Sequence, residues 1–437
     1  MEQIDLLVIG GGMAGLTAAA RATRDGRRVL VVEKSQDTGG NARYAGYAWT
    51  APSVEVMDQV NPRGDEALRH ALVERFSAGI DWIREIGVDA QDAVAILGFG
   101  RGHQFDTNQY VDMCRAILTS GGGEVWTGAT AERLLVEDGA VVGAEVTHDG
   151  STRAVRATWT LLTTGGFQAD PELVAAHVHP DGAAMQLRSQ PNSDGGGYRL
   201  ATAVGAATGV ERAGFYGHLI PSGVRFGDPA DFVDLSLYYS EHALLFNLAG
   251  ERFTDETLGD HLTTMALQDQ PGGRGLLICD ARVFRDWVIG SYVEGAVAVD
   301  KYALANRRGG RTGLAESLDE LAYLPEEWGY DGAKIAAAIE EFNRRAAAGE
   351  ELAPGRAKDA TPLTEGPWYV IECVPAITFP FHGIRIDDRA RVLGTDGTPI
   401  PGLLCAGSDT GGLYDRAYAG GLASALVFGL TAATNLG

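Results

Sequence analysis

"IDLLVIGGGMAGLTAAARATRDGRRVLVVEK", Ile4 to Lys34, decides the fold. Ile4 to Ile9 is an almost uninterrupted apolar run, the pattern of a short parallel strand buried on both faces. Gly10, Gly12 and Gly15 follow as G-x-G-x-x-G. In that spacing the first glycine makes a tight turn, the second lets the backbone approach a pyrophosphate, and the third lets strand and helix close together. Met13 to Arg24 is expected as a helix whose N-terminal amides and positive dipole end face that pyrophosphate. Asp25-Gly26 stops it, and Val29 to Val32 is the second buried strand. Glu33 ends that strand, 18 residues after Gly15, where a carboxylate accepts the hydroxyls of an adenosine ribose. An acid at this position also disfavours a 2′-phosphate. A lone G-x-G-x-x-G is weak evidence, but flanked by two buried strands and this acid it points to a dinucleotide.

Composition sets the bounds around this unit. A chain of 437 residues is longer than one core usually supports, so two domains, or one with a large insertion, are expected. With 45% apolar and 22% charged residues the chain reads as an ordinary globular protein. A net charge of −22 argues against nucleic acid or an anionic membrane as partner. Cys114, Cys279, Cys373 and Cys405 are scattered without a C-x-x-C pair, so they indicate neither a zinc site nor a disulfide framework, and no metal is expected. Each sits in an apolar neighbourhood and is expected as a buried small hydrophobe. "MEQIDLLVIGGG" enters a strand without a basic n-region, so no secretory leader is expected. No apolar run reaches the roughly 18 residues of a membrane span. The expected location is cytoplasmic.

The choice of dinucleotide is carried by "EKSQDTGGNARYAGYAWT", which places a second glycine pair, Gly39-Gly40, shortly after Glu33. A glycine-rich loop here, in place of a plain helix, suits a backbone passing close to a longer ligand. This stretch resembles the flavoprotein family of fumarate reductases, 3-ketosteroid dehydrogenases and tricarballylate dehydrogenase. The resemblance implies a Rossmann-like FAD-binding domain of α/β class, with a parallel sheet plus an antiparallel meander and an inserted α+β capping domain. It implies FAD contacts at Gly10, Gly12, Met13, Ala14, Gly15, Glu33, Lys34, Gly40, Asn41, Ala42 and Gly46. Further contacts are implied at Ala131, Thr164, Gly165, Gly166, Asp194, Gly407, Leu422, Ala423 and Ser424. Some members bind flavin covalently through a histidine beside the second glycine loop. "GGNARYAGYAWT" contains none, so FAD is expected to be non-covalent.

Along the rest of the chain, "DEALRHALVERFSAGIDWIREIG" carries Leu68, Leu72, Phe76, Ile80 and Ile83 on one helical face. From Val125 to Gly166, Asp138-Gly139 and Asp149-Gly150 read as hairpin turns between alternating strands, an antiparallel meander. It ends in Thr163-Thr164-Gly165-Gly166, either a plain strand-end turn or a ligand contact. "QPNSDGGGYRLATAVGAATG" resembles the family segment that brings Asp194 and Gly195 near the flavin. The resemblance divides the chain into a first FAD-binding part (1–210), a capping domain (211–365) and a closing FAD-binding part (366–437). Within the cap, "AKIAAAIEEFNRRAAAG" places Ile335, Ile339 and Phe342 on one stripe.

The chain closes with "GGLYDRAYAGGLASALVFGLTAA", Gly411 to Ala433. An arginine and tyrosines at the mouth of an apolar helix are costly unless a polar group meets them. The resemblance aims this helix, from about Leu422, at the pyrimidine edge of the flavin, where a positive helix end stabilises the reduced ring. Tyr414, Asp415, Arg416 and Tyr418 would then line the substrate face. Two departures argue against succinate or fumarate as substrate. The family's carboxylate-binding histidine is Phe379 in "FPFHG", and its arginine after "RFTDE" is replaced within "TLGDHL", near Gly259. In ketosteroid dehydrogenases a tyrosine before the last helix polarises the ketone. Two alignments are open: anchored on Gly420-Gly421, Tyr418 takes that position; anchored on "ALVFG", Arg416 takes it and suits a substrate carboxylate. His382 is a candidate for proton transfer, and His218 in "FYGHLIP" matches either a substrate histidine or a core one. The expected activity is an FAD-dependent desaturase that acts next to the carbonyl of a ketone or cyclic keto acid. The alternatives are an ene-reductase of the fumarate reductase type and a non-catalytic flavin-binding or electron-transfer subunit. Oxygen or a carrier would take up the electrons.

Overall fold

A computed structural model of the protein describes residues 4–96, 98–226, 230–290 and 298–436. The strand Ile4–Ile9, the helix Met13–Arg24 and the strand Val29–Glu33 form as the sequence predicts. Ile4–Ile9 is central because Leu6, Leu7 and Val8 have no exposed surface, and burial on both faces is what an all-apolar strand requires. It pairs in parallel with Val29–Glu33 on one side and with Ser151–Leu162 on the other. Glu124–Thr127 adds in parallel beyond Val29–Glu33, and Pro399–Cys405 in parallel beyond Ser151–Leu162. The sheet is therefore assembled from both ends of the chain.

The meander is present. Thr130–Glu137 pairs antiparallel with Ala140–His148, which pairs antiparallel with Ser151–Leu162. At both hairpins Asp and Gly have positive φ: 50° and 79° at Asp138-Gly139, 51° and 70° at Asp149-Gly150, the conformation that twisted two-residue hairpins demand. The long strand Ser151–Leu162 lies in the meander with its first half and in the parallel sheet with its second. It thus delivers the Thr163–Gly166 turn back to the first glycine loop. The last helix, Gly421–Thr434, packs on the first: a Cβ on Gly429 would lie 2.7 Å from the Ala14 carbonyl oxygen. The helix Glu66–Glu85 buries Leu68, Leu72, Ile80 and Ile83, with Phe76 half-buried.

The chain separates into two compact units. One comprises Met1–Ala183, Ser189–Tyr216 and Phe379–Gly437; the other comprises Ala184–Arg188 and Gly217–Thr378. The inserted unit is thus longer than the 211–365 expected, because the strand Trp368–Pro380 belongs to its sheet up to Thr378. That strand pairs antiparallel with Gly275–Cys279 and Thr312–Ala315, and in parallel with the short Gln186–Leu187. The core of the inserted unit gathers Leu219, Phe246, Leu276, Ile278, Val370 and Ile371 with Ile335, Ile339 and Phe342 of the helix Gly332–Ala348. All four cysteines are buried free thiols, and burial pushes the Cys114 thiol up to about 12. Among the described residues no helix is long and apolar enough to cross a membrane.

Candidate active site

The nucleotide cradle is built at the C-terminal ends of the parallel strands. Gly10 has φ 105°, and a Cβ there would collide with the Thr163 carbonyl oxygen, so the returning turn is packed directly on the first glycine loop. At Gly12, by contrast, a Cβ would meet nothing within 4 Å. Gly12 also caps the helix Met13–Arg24 without a side-chain hydrogen bond, which leaves the helix end open to an anion. Gly12 and Gly39 form an isolated parallel bridge, and Gly39 N–H donates to Gly11 O at 2.8 Å. The second glycine loop, with Gly40, Asn41 and Ala42 in a short 3-10 turn, is thereby held against the first.

Glu33 ends the second strand. Its Oε2 accepts from Gly11 N–H and its Oε1 from Ser35 N–H, both at 2.7 Å, which fixes the carboxylate while leaving lone pairs for ribose hydroxyls. Ala129 N–H donates to Glu33 O at 2.9 Å, so the strand carrying Ala131 starts beside it. Lys34 Nζ and Asp194 Oδ2 form an ion pair at 2.5 Å. Asn41 Nδ2 donates to Ser189 Oγ at 2.6 Å, and its Oδ1 accepts from Gln190 N–H at 2.9 Å, tying the second glycine loop to the segment before Asp194. Gly46 has open space at its Cβ position.

The Thr164–Gly166 turn has a job within the protein. Buried Asp409 accepts from Thr164 N–H at 2.5 Å, from Thr164 Oγ1 at 2.9 Å and from Gly166 N–H at 2.8 Å. These two amides are therefore taken by a carboxylate rather than offered to a ligand. Gly407, just before Asp409, lies on the first turn of the helix Met13–Arg24, since its Cβ would fall 3.0 Å from Ala14 Cβ. Glycine loops with open space at Gly12, an anchored acid at Glu33 and an uncapped helix end together fit an FAD.

At the other end of the cradle, Gly420 has φ 102° and its Cβ would collide with the Trp49 carbonyl oxygen, so only glycine lets the last helix begin there. Tyr418 Oη accepts from Gly421 N–H at 2.8 Å. Its ring stacks on Tyr216, with centroids 3.6 Å apart at 14°, and meets Trp49 edge-on at 5.1 Å and Phe379 at 5.8 Å. Tyr414 Oη donates to Gly420 O at 3.1 Å, and burial pushes its phenol well up. The amides of Leu422 and Ala423 follow, in the first turn where a helix leaves its donors without internal acceptors. Ser424 Oγ donates back to Gly421 O at 3.0 Å. Phe379, Phe381, Gly407, Thr410, Tyr414 and Ser424 line a cavity at this helix end. The backbone before Tyr418 is held by a residue the sequence reading did not single out. Buried Asn61 accepts with Oδ1 from Asp415, Arg416 and Ala417 N–H at 3.0, 3.1 and 3.0 Å, and its Nδ2 donates to Ala417 O at 2.9 Å. Arg63 Nε donates to Asp415 Oδ2 at 3.0 Å.

The four candidate catalytic side chains occupy different surroundings. Tyr418 is buried in its aromatic group, and Arg416, two residues earlier, is exposed. His382 has no exposed surface and is surrounded by Phe167, His177 and Tyr198; burial lowers its pKa. His218 lies in the inserted unit, where its Nδ1 is 2.5 Å from Asp260 Oδ2. Asp260 Oδ1 also accepts from Leu219 N–H at 3.2 Å. Burial pushes the Asp260 carboxyl up to about 7 and lowers His218 well below its usual value, an effect that the cations of Arg188 and Lys301 reinforce. Burial also lowers Lys301 to about 8. Asp260 stands inside "TLGDHL", and only folding shows that its acid orients a histidine.

The fold and the cradle define a dinucleotide-binding oxidoreductase with an inserted α+β domain. The chain belongs to the FAD binding domain family, whose pattern it matches over residues 5–424, and its cofactor is FAD. It is similar to a fumarate reductase (cytochrome) of Shewanella frigidimarina, 27% identical over 96% of this chain and 74% of that protein. It is also similar to the 4-oxocyclohexanecarboxylate 2-dehydrogenase of Sinomonas cyclohexanicum, 26% identical over 95% of this chain and 89% of that one. Among solved structures, a 3-ketosteroid delta1-dehydrogenase from Sterolibacterium denitrificans has the same fold, with a TM-score of 0.81 at 18% identity over 100% of this chain and 99% of that chain.

Proposed function

We propose that this protein is an FAD-dependent dehydrogenase that introduces a C=C bond α,β to the carbonyl of a ketone or cyclic keto acid. The observation that carries this reading is the Tyr418 hydroxyl, held 2.8 Å from the Gly421 amide at the N-terminus of the last helix and walled by Tyr216, Trp49 and Phe379. A phenol that accepts from a helix amide is polarised to donate its own proton, and a substrate carbonyl oxygen is the acceptor this reading assigns it. That bond stabilises the negative charge that develops on oxygen as the α-proton leaves. A general base takes the α-proton, and Arg416 meets a substrate carboxylate. Bound FAD supplies the acceptor for the hydride from the β-carbon.

The rival is an ene-reductase running the reaction in reverse on an unsaturated carboxylate. Phe379, an apolar ring beside Tyr418, speaks against a dicarboxylate. The name of the Sinomonas relative, whose substrate is a cyclic keto acid, supports the ketone reading. The experiment mixes purified yellow protein with cyclic ketones and cyclic keto acids without oxygen and follows the flavin absorbance near 450 nm. Bleaching by saturated compounds is expected. If only enones react, and do so by reoxidising dithionite-reduced protein, the direction is reversed.

A further inference from the structure

We propose that His177, Glu211 and His382 form a zinc-binding site in the nucleotide unit, apart from the flavin chemistry. The ligand atoms of these three side chains lie within 4.8 Å of one another. They come from three distant segments: the last residue of the helix Pro171–His177, the turn before the strand Phe215–Pro221, and the residues just after the strand Trp368–Pro380. His177 Nδ1 is 3.0 Å from Glu211 Oε1, and His382 Nε2 is 3.7 Å from the same oxygen. A tetrahedral zinc ion with bonds of about 2.0–2.1 Å spaces its ligand atoms about 3.3–3.4 Å apart, so these separations bracket what the ion requires.

One outer contact already suits this role, and the stacked rings would turn to bring both nitrogens onto one ion. His382 Nδ1 donates to Val210 O at 3.2 Å, which places the proton on Nδ1; its Nε2, which accepts the Tyr198 hydroxyl at 3.2 Å, is the nitrogen that would ligate. Metal-bound histidines characteristically make such a bond with their other nitrogen. The same Tyr198 Oη lies 3.2 Å from His177 Nε2, while His177 Nδ1 faces Glu211. The two rings lie parallel, 4.4 Å apart at 4°. With Nδ1 of His177 toward a carboxylate, a divalent cation takes the place of the His177–Glu211 hydrogen bond, displaces the Tyr198 hydroxyl from His382 Nε2 and adds His382 to the same centre. Two imidazole nitrogens and one carboxylate oxygen suit zinc, with water as fourth ligand. The ion would staple the helix Pro171–His177 and the Glu211 turn to the chain that follows Phe379.

The test uses the full-length, FAD-loaded protein, stripped with a chelator, desalted and titrated with zinc chloride by calorimetry, with metal content measured after dialysis. One zinc per chain is expected, with a rise in the thermal midpoint. E211Q and H177A should each weaken binding by at least about tenfold, whereas H103A, remote from the cluster, should not. Because Glu211 is exposed, E211Q keeps the fold and decides the matter if H177A does not express. A wild-type protein that dialyses free of zinc overturns the proposal, and so does an E211Q variant that holds zinc as tightly as wild type. In either case the cluster is a hydrogen-bonded histidine pair only.

Discussion

Tyr418 is the side chain whose chemistry the proposed reaction depends on most. Removing one donor to a developing oxyanion costs about 10²–10³ in rate. Tyr418→Phe should therefore lower kcat by that factor while FAD content stays at one per chain, since the ring keeps its stack on Tyr216. Full activity in this variant would remove the phenol from the mechanism. The sequence makes Tyr418 visible through the glycine pair after it. It gives no sign that Asp260 and His218 meet, because they stand on different elements and share no motif.

At the scale of elements, two contacts hold the site in shape. Asn61 replaces a stretch of secondary structure: one amide side chain takes the N–H groups of Asp415, Arg416 and Ala417. Buried donors left without acceptors cost about 1–3 kcal/mol each. Asn61→Ala should thus destabilise the protein by about 3 kcal/mol and lower kcat with FAD still bound, as read by urea unfolding and steady-state rates. The second contact is between the first and last helices. Helix propensity alone makes Gly429→Ala stabilising by about 1 kcal/mol. The Ala14 carbonyl oxygen 2.7 Å from the new Cβ and Thr17 Cβ at 3.2 Å oppose it, and overpacking costs about 1–3 kcal/mol. A net loss of stability is the expected result, and a gain would mean that the helices separate at little cost. The glycine turns before them and their apolar runs made both helices legible. That one crosses the other at Gly429 is a property of their packing.

For the whole molecule, the N-terminal fingerprint and the C-terminal helix converge on one cofactor in one unit, and the unit inserted between them has its own sheet and core. No histidine stands between Gly39 and Thr50 to form a covalent flavin link beside the second glycine loop. Acid precipitation should therefore release yellow colour to the supernatant. FAD added back to the apoprotein should raise the thermal midpoint, because a ligand bound only by the folded state adds about 2.7 kcal/mol at a hundredfold excess over Kd. Colour retained in the pellet would place a covalent bond elsewhere.

The amino-acid sequence by itself determined the nucleotide fold. Buried strands, glycine turns, the acid after the second strand and the hairpin Asp-Gly pairs are all local signals, readable because each depends on residues a few positions apart. Tertiary structure alone decided the boundary of the inserted unit, the anchoring of the Asp415–Ala417 backbone by Asn61, the use of Asp409 to hold Thr164 and Gly166, and the meeting of His177, Glu211 and His382. Each of these is a contact between segments far apart in the chain, and the geometry of such a contact exists only once the segments have packed.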